Sequence, residues 1–526
     1  MKNLSNNNFC LSCYNNSWVH TEFVSAIGYA YVGGNKLLNA TELTIFFNVA
    51  SESEWTKKLQ ECNGIFAVVC HNRFFSAAAI DSTRLHPIYY RLINEQIVLT
   101  DSPYTLIQKG DTEDYESVRF YTTSGATFEG KTLIQDILQI KPNHYLLCNG
   151  EQKEYYSYKT SLNEIHIPTY TEMSTMLDNV FQRLKQKIGN HQVVIPLSGG
   201  YDSRLVLCML KRLGCQDVLC YTVGREGNHE SNIARKVALQ LGYKWYNIDS
   251  TQENLRKLID LKSSTFQNYY MYLGGLCNFV WLFDYVAITY LQQQGLLKED
   301  AIFIPGHAAD FNAGSHLRKA CIHQRDTISY LTSGLLFDNF EYQGQKYVRP
   351  AIYNYFSTNK EAHVADWSLF QAFVFQNRLP HNILNSARIY AYMGYETALP
   401  FWDREFIEMF RKMPYQGLKN QSFYTEYVRT QVFQPMQVDY ISPSHSAFYY
   451  YLMKIKKRIK AFLPINLAHC FVHLQDSLGE KELSQPLLKE LIQKSIYRST
   501  KDVLCINQIM KDWYLLKVRE YLQKEG

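Results

Sequence analysis

The stretch 193–214, VVIPLSGGYDSRLVLCMLKRLG, constrains the fold more than any other part of the chain. An apolar run of strand length stops at Ser198-Gly199-Gly200. Beyond Asp202 and Ser203, a helical pattern puts Leu205, Met209 and Leu213 on one face and ends at Gly214. Two glycines let the backbone approach a phosphate closely, and the helix behind them aims its N-terminal N–H groups and dipole at the anion. Ser198 and Ser203 add hydroxyl donors. Asp202 would repel a bare phosphate, which makes it a candidate ligand for Mg²⁺ held together with ATP.

The pattern continues downstream. A helix is expected at 170–188 and strands at 192–197, 218–223 and 245–248, with a helix over 230–241 ending at Gly242 and a later strand at 302–304. This β-loop-α-β-α-β series predicts a parallel sheet with crossover helices, whose ligands bind at the carboxyl ends of the strands. Upstream, short runs at 64–70, 75–80, 88–90 and 96–99 rich in Phe, Val, Ile and Tyr read as a mostly β region. The expected fold class is α/β, with a β-rich sandwich ahead of a parallel-sheet domain. The boundary is expected at 159–169, giving residues 1–160 and 165–526 as the two domains.

Composition narrows the function classes. The net charge of +5 over 526 residues calls for neither nucleic acid nor a membrane surface as partner. The start, MKNLSNNNFC, is polar and is not expected to act as a secretory signal. The twelve cysteines form no framework, and Cys10 and Cys13 are a lone C-x-x-C pair, so reduced thiols in a cytoplasmic protein are expected rather than zinc. The apolar stretch 271–291 carries Asn278, Asp284 and Gly274-Gly275, and reads as a buried helix rather than a membrane span. In 446–467, Tyr-rich and basic residues alternate with aliphatic ones. A basic helix packed on the domain is favoured there over one resting on anionic lipid. A second phosphate-loop pattern, GATFEGKT at 125–132, follows no apolar strand and holds Phe128 and Glu129 inside the loop. It reads as an ordinary turn.

SGGYDS is the loop signature of enzymes that cleave ATP to AMP and pyrophosphate, and four blocks together resemble the asparagine synthetase family: IPLSGGYDSRL, YTVGREGNHESNIARKVALQLGY, IPGHAADFNAGSH and ARIYAYMGYETALPFWDREF. Upstream, NGIFAVV, AIDSTRLHPIYY and KTLIQDILQIKPNHY are similar to strands of that family's glutamine-hydrolysing domain, of the N-terminal-nucleophile type. The resemblance implies that Ser198, Gly199, Gly200 and Ser203 hold pyrophosphate or its precursor. It further implies that Asp202 and Asp310 are the Mg²⁺ carboxylates, and that Val223, Gly224 and Gly306 lie against the nucleotide. Arg388 is a candidate cation for phosphate or substrate, while Glu396 and Asp403 are expected to hold structure.

Three departures qualify the resemblance. Residue 2 is Lys2 where the family exposes a nucleophilic Cys, and no N-G-E segment is found, so the first domain is expected to be catalytically dead. His307 stands where the family has Glu, and His316 replaces an aromatic residue. His307 is expected to assist as a base and to attract acidic groups. Thr425 lies near the position of a pyrophosphate-neutralising Lys, for which Lys419 is the nearest replacement. The expected activity is adenylation of a carboxylate, small-molecule or glycan, followed by displacement of AMP by ammonia or an amine, with ammonia free or delivered by a separate amidase. A nucleotide-binding pseudoenzyme or scaffold subunit is the alternative. RNA modification is disfavoured by the weak charge and the lack of a basic appendage.

Overall fold

The computed structural model describes residues 9–13, 15, 17–250, 253–317, 327–339, 344–440, 484–498 and 506–525. Lys2 and the basic segment 446–467 lie outside them. Residues up to Glu154 supply β1 (Phe9–Ser12), β2 (Val19–His20), β3 (Val24–Val32), β4 (Lys36–Leu38), β5 (Asn63–His71), β6 (Ser76–Ile80), β7 (Tyr89–Ile93), β8 (Gln96–Thr100), β9 (Leu138–Gln139), β10 (His144–Leu147) and β11 (Gln152–Glu154). One sheet has the order β1-β8-β7-β9. The other runs β11-β10-β6-β5-β3-β2, with β4 paired to β3. The alternation along β5 explains the layering. Ala67 and Val69 join Ile97 and Leu99 between the two sheets, while Phe66, Val68 and Cys70 face the opposite way, into a core with Leu43, Trp55 and Leu59.

That second core corrects the mostly-strand expectation, because helices α1 (Ala40–Phe46), α2 (Glu52–Glu61) and α3 (Tyr115–Ser124) belong to this region. Their starts are written locally. Asn39 and Glu42 form a capping box on α1, and Ser51 caps α2 by accepting from Glu54 N–H. The GATFEGKT segment begins as the left-handed C-cap of α3, at Gly125 with φ +85°. Phe128 stacks on Phe120 with ring centroids 4.7 Å apart, and Lys131 pairs with Glu116 at 2.6 Å. It is a packed turn.

Helix α4 (Tyr170–Ile188) opens with a Thr169–Glu172 capping box and leads into a five-stranded parallel sheet. Its strands are β12 (Val193–Pro196), β13 (Val218–Val223), β14 (Lys244–Ile248), β15 (Ile302–Phe303) and β16 (Glu396–Thr397), in the order β14-β13-β12-β15-β16. Helices α5 (Tyr201–Arg212) and α6 (His229–Gln240) make the first two crossovers. The strand order reverses between β12 and β15. Their neighbouring carboxyl ends therefore open a crevice at the switch point of the sheet.

The stretch 271–291 is not one helix. Gly275, with φ +51°, ends a helix at Ser264–Gly274, and a second runs from Phe283 to Gln293. A side chain at Gly274 would collide with the Tyr514 ring, its Cβ only 2.1 Å from Cε2. No helix among the described residues is long and apolar enough to cross a membrane.

Candidate active site

The crevice between β12 and β15 is built by the loop 197–200 and by the turn 304–316. The first loop is internally braced. Ser198 N–H donates to Ser203 Oγ at 3.1 Å, the two hydroxyls lie 3.1 Å apart, and Gly200 N–H donates to Ser198 Oγ at 3.1 Å. Helix α5 starts at Gly200 without a side-chain cap, so its first-turn N–H groups face the crevice without a capping oxygen. Gly199 lies against α6, where a Cβ would be 3.1 Å from Glu230 Cγ. Gly306 is tighter still: a Cβ there would lie 2.4 Å from Ser203 N and 2.8 Å from Asp202 C. The second loop is thus pressed onto the first turn of α5.

That contact brings the two acidic residues together. Asp310 N–H donates to Asp202 Oδ2 at 2.9 Å, and Tyr424 O–H donates to Asp202 Oδ1 at 2.9 Å. The two carboxyl groups are within hydrogen-bonding reach of one another. Burial, then the neighbouring Asp310 charge, pushes the Asp202 carboxyl well above the usual range, and burial raises Asp310 as well. No lysine or arginine among the described residues forms an ion pair with either. The pair fits a divalent cation: two carboxylates facing phosphate donors are the protein share that Mg²⁺ commonly takes, and a cation would remove their mutual repulsion.

The other predicted residues divide into two groups. Val223 and Gly224 lie at the carboxyl end of β13, where Gly224 N–H donates to Ile248 O at 3.0 Å. Thr222 Oγ1 donates to Leu197 O at 2.7 Å and accepts from Trp245 Nε1 at 2.9 Å, tying three strand ends together at the crevice. His307 stands one residue beyond Gly306. Its Nδ1 is buried without a partner, and burial holds its pKa down at about 4. The expected attraction of acidic groups by a charged His307 is therefore corrected, since the ring is neutral near pH 7. His316 lies nearly parallel to Phe311 and Phe370, with centroids 5.5 and 5.9 Å away, and is also held neutral, at about 3, by burial.

The structure does not bring the remaining candidates to the acidic pair. Lys419 is exposed, one residue beyond Leu418, whose carbonyl packs against Gly314. Arg388 is 2 % exposed and donates through Nη1 to Leu273 O and Asn385 Oδ1 at 3.4 and 3.2 Å, with its guanidinium over the Tyr272 ring. None of these contacts is with the 197–203 loop. Asp403 accepts both nitrogens of the Arg183 fork, at 2.7 and 2.8 Å, and caps the helix Arg404–Arg411, while the exposed Glu396 pairs with Lys187. Cys13 is half-buried with its thiol pushed up to about 12, and Cys10 is exposed and free.

Two residues that the sequence reading did not name belong to the site. Tyr424, beside Thr425, fixes one Asp202 oxygen. Arg204, fully buried directly after the SGGYDS motif, donates to Gly199 O at 2.8 Å and to Val438 O and Tyr440 O at 3.1 and 2.9 Å. Its guanidinium lies over the rings of Tyr201 and Phe433. The Arg after the motif was the only signal available for it.

Residues 184–272 match the family model described as asparagine synthase. A protein of Acanthamoeba polyphaga mimivirus named probable asparagine synthetase (glutamine-hydrolysing) is 33% identical over 140 residues, covering 22% of this chain and 26% of that protein. A GMP synthase (glutamine-hydrolysing) of Paraburkholderia phytofirmans is 29% identical over 90 residues, 16% of this chain and 17% of the relative. The chain thus spans about a quarter and about a sixth of these two relatives. The matched stretch runs from the end of α4 to Tyr272, has the phosphate loop near its start, and is similar to the asparagine synthase family, whose domain has the pyrophosphatase-loop fold.

Proposed function

We propose, proceeding from that asparagine synthase-family segment, that this chain is an ATP-dependent ligase that makes an amide. A carboxylate oxygen of the substrate attacks the α-phosphorus of ATP, the bond to the β-phosphate oxygen breaks, and pyrophosphate leaves. An amine or ammonia then attacks the acyl carbon, the acyl–oxygen bond to AMP breaks, and the nitrogen gives up a proton. The observation that carries this reading is the juxtaposition of Asp202 and Asp310 beside the 198–203 loop at the switch point of the sheet.

In this reading Asp202 and Asp310 hold Mg²⁺, which supplies positive charge to the phosphate oxygens when bound. The first-turn N–H groups of α5 and the Ser198 and Ser203 hydroxyls receive the departing pyrophosphate. Arg204 keeps the Gly199 carbonyl turned away from the anion, and Tyr424 fixes the Asp202 rotamer. His307 Nδ1, neutral and unpartnered, accepts a hydrogen bond from the incoming nitrogen. The nitrogen is proposed to come from free ammonia, a separate amidase or an amine, since Cys13, with its thiol pushed up to about 12, is not poised as a nucleophile for glutamine. Small-molecule or glycan carboxylates in the cytoplasm are the proposed substrates.

Release of AMP and pyrophosphate in equal amounts with an acid and ammonia tests the reading, and Asp202→Asn is expected to abolish it. ADP formation would overturn it. That no lysine or arginine among the described residues is ion-paired to the acidic residues favours one second reading, a nucleotide-binding scaffold. Mg²⁺-ATP binding without turnover across a broad acid panel is its signature.

A further inference from the structure

A cavity of about 410 Å³ lies between the first 100 residues and the parallel-sheet region, within the size range of small-molecule sites. Gly28 and Tyr29 of β3, His86, Lys187, Arg388 and the segment 394–397 are among its lining residues. It is separate from the phosphate crevice. Thr397 is level with Phe303, and Phe303 with Val194, whereas Ser198 lies four residues beyond Val194, past the carboxyl end of β12. At about 3.3 Å per residue, that places the cavity roughly 13 Å back toward the amino ends of the strands.

The charges around the cavity do not balance. Arg388 is 2 % exposed, its Nε is buried without a hydrogen-bond partner, and no carboxylate among the described residues pairs with it. Arg84, fully buried nearby, donates only to neutral groups: Gln139 Oε1 at 2.8 Å, Tyr89 O–H at 3.1 Å and Cys277 Sγ at 2.9 Å. Lys187 and Glu396, both on the cavity wall, cancel each other. His86 is held near pKa 4 by burial and then by the Arg388 charge, so it adds none. A buried guanidinium without a counter-charge is costly unless an anion reaches it.

We propose that this cavity is a second ligand site, specific for a small polar molecule bearing one carboxylate, drawn there by the charge of Arg388. Of the two guanidiniums only Arg388 lines the cavity, and one positive charge on the wall matches a monoanion better than a phosphate dianion. Asn15, Ser17, Asn39 and Thr41 on the wall suit a hydroxyl- or amide-bearing body. The site joins the two parts of the chain, so its occupant stabilises their contact.

Calorimetric titration of the full chain with three monocarboxylates (gluconate, glycolate and N-acetylglycine), with glucitol as the uncharged match of gluconate and with inorganic phosphate, tests this. At least one monocarboxylate should bind saturably, with glucitol and phosphate much weaker. Arg388→Gln should weaken binding by about tenfold or more, the loss expected for one charge-assisted hydrogen bond. Ala391→Phe, which fills the cavity without touching the Arg388 charge, should abolish it. Asp202→Asn should leave it unchanged, separating this site from the phosphate crevice. No binding by any of the three at about 10 mM overturns the proposal. So does undiminished binding by both Arg388→Gln and Ala391→Phe, or a preference for phosphate.

Discussion

Gly306→Ala isolates the contact on which the site depends. The added methyl would lie 2.4 Å from Ser203 N, 2.7 Å from Ser203 Cα and 2.8 Å from Asp202 C, all backbone atoms that cannot rotate away. Ordinary contact requires about 3.4 Å or more, so the 304–316 turn and the first turn of α5 must separate by roughly 1 Å. Overpacking of this kind costs about 1–3 kcal/mol of stability. The catalytic loss is expected to be larger in proportion, because the same displacement stretches the 2.9 Å bond from Asp310 N–H to Asp202 Oδ2. A 1 Å misplacement of reacting groups costs about 100-fold in rate. The assay is release of pyrophosphate at saturating ATP, read beside the thermal midpoint of the metal-free chain. Gly200→Ala is the control for adding a methyl to the same loop: its φ is −72°, and its nearest neighbour would be the Ser198 hydroxyl at 3.2 Å, a side chain that can turn. Its thermal midpoint should stay near that of the wild type. Wild-type stability and turnover in Gly306→Ala would refute the close approach and, with it, the juxtaposition of the two aspartates.

Two further outcomes follow from the electrostatics. Asp202 and Asp310 titrate higher in the folded chain than in the unfolded one, so the folded state binds more protons above about pH 4 and their contribution to stability falls as pH rises through the folded pKa values. In EDTA, the wild-type thermal midpoint should therefore fall more steeply with rising pH than that of Asp202→Asn, and the variant should be the more stable near pH 7; equal slopes would refute the coupling. Arg204→Met keeps the apolar stem but leaves the Gly199, Val438 and Tyr440 carbonyls without their donor. A loss of about 3–5 kcal/mol in urea unfolding, with weaker ATP binding, is expected; a loss below about 1 kcal/mol would show that water replaces it.

The parallel sheet was legible because its signals are local. A buried strand, a glycine-rich stop and an amphipathic helix follow one another without interruption from Val193 to Gly214, and α4 spans Tyr170–Ile188, the range that periodicity predicts. The first region was read as mostly strand because β5, β7 and β8 are dense in β-branched and aromatic residues. The caps Asn39 with Glu42 and Ser51 with Glu54 went unread among them, although they carry the α1 and α2 starts. The single helix expected at 271–291 breaks at Gly275, whose left-handed φ of +51° ends the first helix; a Cβ there would also lie 2.1 Å from the hydroxyl of Tyr89, a close approach from a distant strand that the Gly274-Gly275 pair alone does not announce.

The same distinction between local and distant causes separates the two halves of the site. The loop that would grip phosphate is contiguous, so the residues at 198–203 declare their chemistry by spacing alone. The residues that decide whether the loop has the right shape come from elsewhere. Tyr424 reaches Asp202 across 222 positions, and Arg204 is anchored by carbonyls at Val438 and Tyr440, more than 230 positions on. Neither type of residue suggests a site in isolation: one tyrosine of 40 and an arginine on a helix are ordinary. His307 shows the opposite error, in which the residue type suggested a charge that its surroundings forbid. A neutral imidazole does not draw an acid to the crevice, so on the proposed reading discrimination among carboxylate substrates rests on shape and hydrogen bonds near Phe311 and His316. If that is so, His307→Gln, which keeps a neutral acceptor, should preserve the order of preferred acids, whereas His316→Ala should change it.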